Sequence, residues 1–117
     1  MALLEALKKA GVDTEGSVAR FVGNVQMYEK FLNKFPADDT FLKIKPAFDA
    51  GNWEEALNTT HTLKGLSGNL GMIRLYNACS STVVLLRAKQ NEEAKASYGE
   101  IESAYNEILS VIQADKA

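Results

Sequence analysis

Apolar residues recur at helical spacing along nearly the whole chain, and no alternating run bounded by turns predicts a strand. We therefore predict an all-α protein. The predicted helices are a short one stopped at Gly11, then segments near 14–22, 24–35, 41–48, 53–70, 73–90 and 92–114. Long amphipathic helices joined by short polar turns normally form an antiparallel bundle. The expected architecture is an antiparallel four-helix bundle with short additional N-terminal helices.

The first half of the chain contains residues that typically cap, break or kink helices. Asp13 or Thr14 is the predicted cap of the second helix, and Gly23-Asn24 predicts a break between the second and third helices. Pro46 lies inside the segment near 41–48, where it removes one backbone donor. We expect the proline to kink that helix or to restart it.

The segment from His61 to Gly71 is unusual for a helix, because three glycines fall within seven residues. A glycine in a helix interior costs about 1 kcal/mol relative to alanine. The missing side chains offer access to the surface near His61, the single histidine of the chain. Gly71 itself is better interpreted as the end of the helix, where glycine is common.

A helix turns about 100° per residue, so the positions of the 53–71 segment can be projected around its axis. Gly65 and Gly68 project within about 40° of His61, and Leu57 and Lys64 project within about 60° of it. The predicted core-facing stripe consists of Ala56, Thr60, Leu63, Ser67 and Leu70. The histidine and two of the glycines therefore share one exposed face.

These residue types support a narrow range of chemistry. A neutral imidazole is a nucleophile near physiological pH and can take a phosphoryl group on nitrogen. Lys64, one turn after His61, would screen the added negative charge. Gly65 and Gly68 would let a second protein bring its own catalytic residues up to the phosphorus, and Leu57 would add an apolar anchor. We predict that His61 is the phosphoacceptor, that Lys64 stabilises the phosphate, and that the other three residues dock the partner.

Composition and charge exclude other classes of function. With 117 residues, 46% hydrophobic and 24% charged, the sequence predicts one globular domain over residues 1–117. A net charge of -2 with scattered basic residues gives no stripe for nucleic acid, and no segment reads as a signal peptide or a membrane span. One cysteine and one histidine cannot build a zinc site within the chain. We expect a soluble cytoplasmic protein without a metal of its own.

The other conspicuous side chains have structural interpretations. Core or rim packing is expected for the aromatic residues Trp53, Tyr76, Tyr98 and Tyr105. Cys79 is interpreted as a small buried apolar residue. Arg74 and Arg87 are interpreted only as solvated surface charges.

The segment from Gly51 to Leu75 closely resembles the histidine-containing phosphotransfer (HPt) domain family of multistep phosphorelays. That family carries a helix with His-x-x-Lys-Gly and a further glycine three residues on, often preceded by Gly-Asp-Trp-like residues and followed by Asn-Leu-Gly. The matching residues here are Gly51-Asn52-Trp53, His61, Lys64, Gly65, Gly68 and Asn69-Leu70-Gly71. Segments 18–24 and 28–35 are more loosely similar, so the resemblance covers most of the chain.

The resemblance implies a four-helix bundle in which His61 accepts a phosphoryl group from an aspartyl phosphate on a response-regulator receiver domain and passes it to another receiver aspartate. Lys64 matches the family's phosphate-stabilising lysine, and Gly65 and Gly68 match the glycines that leave the histidine accessible. The receiver would supply Mg²⁺, so the chain needs no cofactor of its own. A hybrid sensor histidine kinase is a further partner compatible with the resemblance. Thr60 stands where the family commonly has alanine, and a threonine facing the core should be tolerated if its hydroxyl bonds back to the preceding turn.

Three functions are therefore compared. The leading one is a phosphocarrier and not a kinase, because the sequence has no Gly-rich nucleotide loop and no carboxylate set to hold ATP with magnesium. The second is a module that docks a receiver without accepting phosphate. The presence of His61 and Lys64 argues against it. The third is a structural helical bundle, which leaves the three glycines unexplained.

Overall fold

The computed structural model describes residues 2–116, and within that range the chain forms helices and no strand. The α-helices are α1 (Ala2–Lys9), α2 (Thr14–Arg20), α3 (Val25–Lys34), α4 (Ile44–Asp49), α5 (Trp53–Asn69), α6 (Ile73–Arg87) and α7 (Asn91–Lys116). Two 3₁₀ turns, Phe35–Ala37 and Phe41–Lys43, lie between α3 and α4. The predicted all-α class is confirmed.

Helices α5, α6 and α7 form the centre of the molecule, because each is joined to the next by a short turn and packs against it. The 41–49 segment closes the bundle: it packs on α5, and its aromatic rings contact α7. There Phe41 stacks on Tyr105 with ring centroids 3.8 Å apart, and Phe48 meets Tyr98 edge-on at 6.3 Å. The antiparallel four-helix bundle is confirmed, and α1, α2 and α3 are the additional N-terminal helices.

Pro46 occupies the third position of α4, which begins only at Ile44 after the 3₁₀ turn. The first four N–H groups of a helix have no acceptor within it, so the missing proline N–H costs no hydrogen bond here. We expected the proline to kink the helix or to restart it. The structure shows the second outcome: the 3₁₀ turn ends at Lys43 and a new helix begins at Ile44.

The predicted cap and break in the N-terminal region are also confirmed. Asp13 accepts a hydrogen bond from the N–H of Gly16 at 2.9 Å and so caps α2. The chain then turns at Gly23, whose φ is +75°, and Asn24 caps α3 by accepting from the N–H of Met27 at 3.0 Å.

The C-terminal end of α5 is held by α2 and α3. Arg20 donates through Nη2 to the carbonyl oxygens of Gly68 at 3.0 Å and Asn69 at 3.3 Å, and the Tyr28 hydroxyl donates to that of Leu70 at 2.8 Å. The last carbonyls of a helix lack intrahelical donors, and a cation there also suits the negative end of the helix dipole. The N-terminal helices therefore position the helix that carries His61.

Gly71 ends α5, as the sequence predicts. Its φ is +74°, a conformation that favours glycine, and its carbonyl oxygen accepts from the N–H of Asp13 at 2.8 Å. A Cβ on Gly71 would collide with the backbone of Asp13 and with the hydroxyl of Ser17. The close approach of α2 to this turn therefore requires glycine.

Candidate functional site

Helix α5 has the two faces that its periodicity predicts. The predicted core stripe is buried in the structure: Ala56, Thr60, Leu63, Ser67 and Leu70. His61 is exposed on the other side of the helix. Asn52 begins the helix by accepting from the N–H of Glu55 at 3.2 Å. The histidine therefore stands on the middle of a helix that is capped at both ends, which holds its backbone in place.

Thr60 departs from expectation in one detail. Its Oγ1 is fully buried and has no hydrogen-bond partner in the described part of the chain, so the bond that was expected to make a threonine tolerable here does not form. Thr59 and Thr62 do bond back, to the carbonyl oxygens of Glu55 at 2.8 Å and Asn58 at 3.0 Å. Thr60 instead lies on the buried stripe of α5.

His61 lines an open recess together with side chains from α5 and α6. The recess is formed by Leu57, Asn58, His61, Thr62 and Arg87. Leu57 is half-buried and packs partly against the core, so it presents an apolar edge to this recess. The structure thus brings Leu57 beside His61, as the helical projection predicts.

Arg87, interpreted from the sequence only as a solvated surface charge, also lines this recess. It is exposed in the last turn of α6, and within residues 2–116 its guanidinium forms no ion pair or hydrogen bond. Arg74 on the same helix is instead held by Glu100, with N–O distances of 2.9 and 3.0 Å. An unpaired guanidinium next to an imidazole is free to bind an anion such as a phosphoryl group, for which its fork of donors is well suited.

Lys64 lies on the flank of α5 that faces α6. It is half-buried, and its Nζ lies 5.7 Å from the centroid of the Tyr76 ring. Lys64 is not among the residues that line the recess at His61. The structure therefore supplies two cations near the histidine, Arg87 in the recess and Lys64 on the flank toward Tyr76.

The two glycines of the predicted docking face have different surroundings. Gly65 is exposed, and a Cβ added to it would meet no other group within 4 Å. Gly68 is half-buried, and a Cβ added to it would lie 2.9 Å from Cδ1 of Tyr76. Gly65 thus leaves open space beside His61, whereas Gly68 is partly covered by the tyrosine.

An apolar groove lies on the other flank of α5, between this helix and α3. Phe21 and Phe31 stack with ring centroids 5.5 Å apart, and they line the groove with Leu66 and Leu70. Phe31 is 44% exposed, which is high for a phenylalanine in a small domain. No sequence motif marks this groove, because it forms where α5 meets α3 and the end of α2, and the helical pattern alone does not specify which helices meet.

Other sites considered from the sequence are absent from the part of the chain that the structure describes. Residues 2–116 contain no group of three or more His, Cys, Asp or Glu side chains placed to hold a metal ion. None of the helices described combines the length and the apolar character needed to cross a bilayer. Cys79 is fully buried, and burial raises the pKa of its thiol to about 12, so the expected inert apolar role is confirmed.

Comparison with known proteins identifies one family. A family model described as Hpt domain matches residues 26–114, a range that includes every candidate site residue and all of α4, α5 and α6. Searches of curated proteins and of solved structures return no significant match.

Proposed function

We propose, because this chain belongs to the Hpt domain family, that His61 accepts a phosphoryl group from the aspartyl phosphate of a response-regulator receiver domain and passes it to another receiver aspartate. Hpt domains serve histidine phosphotransfer in phosphorelays and are phosphocarriers, not enzymes. The observation that carries the proposal is the exposed His61 in a recess that also contains the unpaired Arg87.

The proposed transfer consists of two displacements at phosphorus, one onto His61 and one away from it. The unprotonated ring nitrogen of His61 attacks phosphorus, and an N–P bond forms as the P–O bond to the receiver aspartate breaks. The electron pair of that bond leaves with the aspartate carboxylate, and the other ring nitrogen carries its proton through both steps, so that neutral imidazole is the group that leaves in the onward step. In the onward step a carboxylate of a second receiver attacks the same phosphorus, and the imidazole leaves with the electron pair of the N–P bond.

The chain's own contribution to this step is positioning and charge. Phosphoryl transfer needs little covalent chemistry from the protein beyond the nucleophile, and its charge is stabilised by cations and oriented donors. Two cations of this surface are Arg87, which lines the recess with His61, and Lys64, one turn after the histidine on α5. The receiver supplies its aspartate, a lysine and bound Mg²⁺, so the chain needs no cofactor or ATP site of its own.

The same surface suits docking of a receiver domain. Leu57 provides an apolar edge next to His61, and the open space at Gly65 lets the partner approach the phosphorus. Beyond α5, the exposed Phe31 and the groove at Leu66 extend the apolar area toward α3. A receiver that covers both flanks would exclude water from the transfer, which strengthens the electrostatic stabilisation of the phosphoryl group. A hybrid sensor kinase could present such a receiver, and we place the exchange in the cytoplasm, in agreement with the single cysteine of the chain.

The experiment is transfer of labelled phosphate from purified receiver domains. A panel of receivers is phosphorylated with labelled acetyl phosphate in the presence of Mg²⁺, cleared of free donor, and mixed with the wild-type chain or with His61→Gln. We expect label to move to the wild type from at least one receiver and not to the variant. Arg74→Ala, which removes a cation that is already paired with Glu100, is the matched charge control and is expected to behave as wild type.

Two results would contradict the proposal. Equal labelling of wild type and His61→Gln would show that another residue takes the phosphate. Receivers that bind the chain, slow their own dephosphorylation and never transfer label would instead support a docking module without phosphotransfer.

A further inference from the structure

Tyr76, in the first turn of α6, lies directly across Gly68 of α5. A Cβ built on Gly68 would lie 2.9 Å from Cδ1 of the tyrosine ring, closer than real Cβ atoms approach other groups, and 3.1 Å from Cε1, which is tighter than most real contacts. An alanine at this position would therefore push the ring away. A Cβ on Gly65 would meet nothing within 4 Å, so of these two glycines only Gly68 is required by its neighbour.

The displaced ring is the one that supports Lys64. The lysine Nζ lies 5.7 Å from the centroid of Tyr76, inside the range of about 6 Å over which a cation is attracted to an aromatic face. Within residues 2–116 Lys64 forms no ion pair with a carboxylate. The aromatic ring is therefore the contact that restrains its ammonium group.

A restrained lysine has a consequence for phosphoryl transfer. A lysine on a helix surface has a flexible four-carbon stem, and ordering that stem only when the phosphoryl group arrives would cost part of the stabilisation. Lys64 follows His61 by one helical turn, and a ring that holds its ammonium on the α6 flank restricts the stem before the phosphoryl group arrives.

We propose that Tyr76 is a positioning residue for Lys64, and that position 68 is glycine so that the Tyr76 ring can reach the lysine. The inference rests on the proposed phosphotransfer at His61. It assigns Gly68 a second role: besides leaving the histidine accessible to a partner, the glycine makes room for the Tyr76 ring. Gly68 acts through Tyr76, and Tyr76 acts through Lys64.

The geometry is tested first by NMR, without any phosphate. A methylene group next to an ammonium above an aromatic ring is shifted upfield by the ring current, so the Hε signals of Lys64 are expected upfield of those of the other lysines. Tyr76→Phe should keep this shift, and Tyr76→Leu should abolish it. Gly68→Ala should also abolish it by moving the ring, whereas Gly65→Ala, the matched substitution one turn earlier, should leave it in place.

The functional part is tested by a double-mutant cycle on the rate of transfer from a receiver. Tyr76→Leu is expected to slow transfer by about two- to fivefold, the ratio that corresponds to a cation–π contact at a partly exposed site. Tyr76→Phe should transfer as fast as wild type. In a Lys64→Ala background, Tyr76→Leu should cause no further loss, because the residue through which the ring acts is gone.

Each alternative outcome overturns the inference. An unshifted Lys64 signal in the wild type would remove the contact, and an equal loss of rate from Tyr76→Leu with and without Lys64 would show that the ring acts as part of the docking surface. Failure of the wild type to accept phosphate at all would defeat the proposed function, and the NMR comparison would still decide whether Gly68 and Tyr76 position the lysine.

Discussion

The buried hydroxyl of Tyr28 donates a hydrogen bond of 2.8 Å to the carbonyl oxygen of Leu70, the residue that follows α5. The two residues lie 42 positions apart in the sequence, so this bond ties α3 to the C-terminal end of the histidine helix. Burial raises the pKa of the Tyr28 hydroxyl, which keeps it in the protonated, donating form at physiological pH. The C-terminal end of α5 is thus anchored by the buried Tyr28 hydroxyl and by Arg20.

Tyr28→Phe is expected to destabilise the fold without abolishing phosphotransfer. The substitution removes the hydroxyl and leaves a buried carbonyl oxygen without this donor, which costs about 1 to 3 kcal/mol. The measurement is the free energy of unfolding from urea denaturation, together with the rate of transfer to His61. A variant that is as stable as wild type would show that water replaces the bond.

Gly71→Ala is expected to destabilise the protein more than Gly11→Ala. Both glycines have positive φ, +74° and +90°, so both substitutions carry the same kind of backbone strain, about 1 to 2 kcal/mol. A Cβ on Gly71 would in addition collide with Asp13 and Ser17, whereas one on Gly11 would meet nothing within 4 Å. Urea denaturation should therefore give a loss at Gly71 that exceeds the loss at Gly11 by about 2 kcal/mol or more. Equal losses would mean that α2 does not pack closely on this turn.

Arg87→Ala is expected to slow phosphoryl transfer by about tenfold and to shorten the lifetime of the phosphorylated protein. The guanidinium lines the recess at His61, and the loss of a charge-assisted contact to a phosphoryl group is worth about 1.5 kcal/mol or more. Arg87→Lys should restore part of the rate, because it returns the charge without the planar fork. Arg74→Ala is the control on the same helix. Equal rates for the two alanine variants would remove Arg87 from the site.

Because the thiol of Cys79 is buried, we expect the free energy of unfolding to fall at alkaline pH. Burial raises the pKa of its thiol from 9.0 to about 12, so the folded state keeps a proton that the unfolded chain loses above pH 9. The stabilisation is complete below pH 9 and declines as the pH rises toward 12. Between pH 8 and pH 10 this group alone should lower the free energy of unfolding by about 1 kcal/mol.

The check is urea denaturation of wild type and Cys79→Ala at both pH values. Tyrosines with raised pKa also destabilise the fold at high pH, but they do so in both proteins, so the difference between the two slopes isolates the thiol. Parallel slopes would show that the thiol ionises within the folded state.

The faces of α5 could be predicted from the sequence because they depend on one helix alone. A period of 3.6 residues places His61 and Leu63 on opposite sides regardless of the neighbours. Every residue of the predicted stripe is buried, and Thr59 is buried in addition. Capping at Asp13 and the restart at Pro46 are likewise local, since each depends on the backbone donors of one helix start.

Contacts between helices could not be predicted in the same way. Arg87 reaches the recess only because α6 runs back antiparallel to α5, and a helical pattern gives no information on which turn of one helix meets which turn of the other. In two antiparallel helices, residues equally far in sequence from the connecting turn lie opposite each other. Leu57 and Arg87 are equally far from Met72, which lies in the turn between α5 and α6, so this symmetry predicts that Arg87 lies near Leu57. The same symmetry about Met72 pairs Gly68 with Tyr76.

The most direct test of the central claim is to locate the phosphate after transfer from a receiver. The phosphorylated chain is analysed by phosphorus NMR at neutral pH and by tandem mass spectrometry under conditions that spare acid-labile groups. We predict a single phosphoramidate on His61, stable in alkali, lost on brief acid treatment and absent from His61→Gln. A phosphoryl group on any serine, threonine or aspartate, or a phosphoramidate that survives in His61→Gln, would contradict the account.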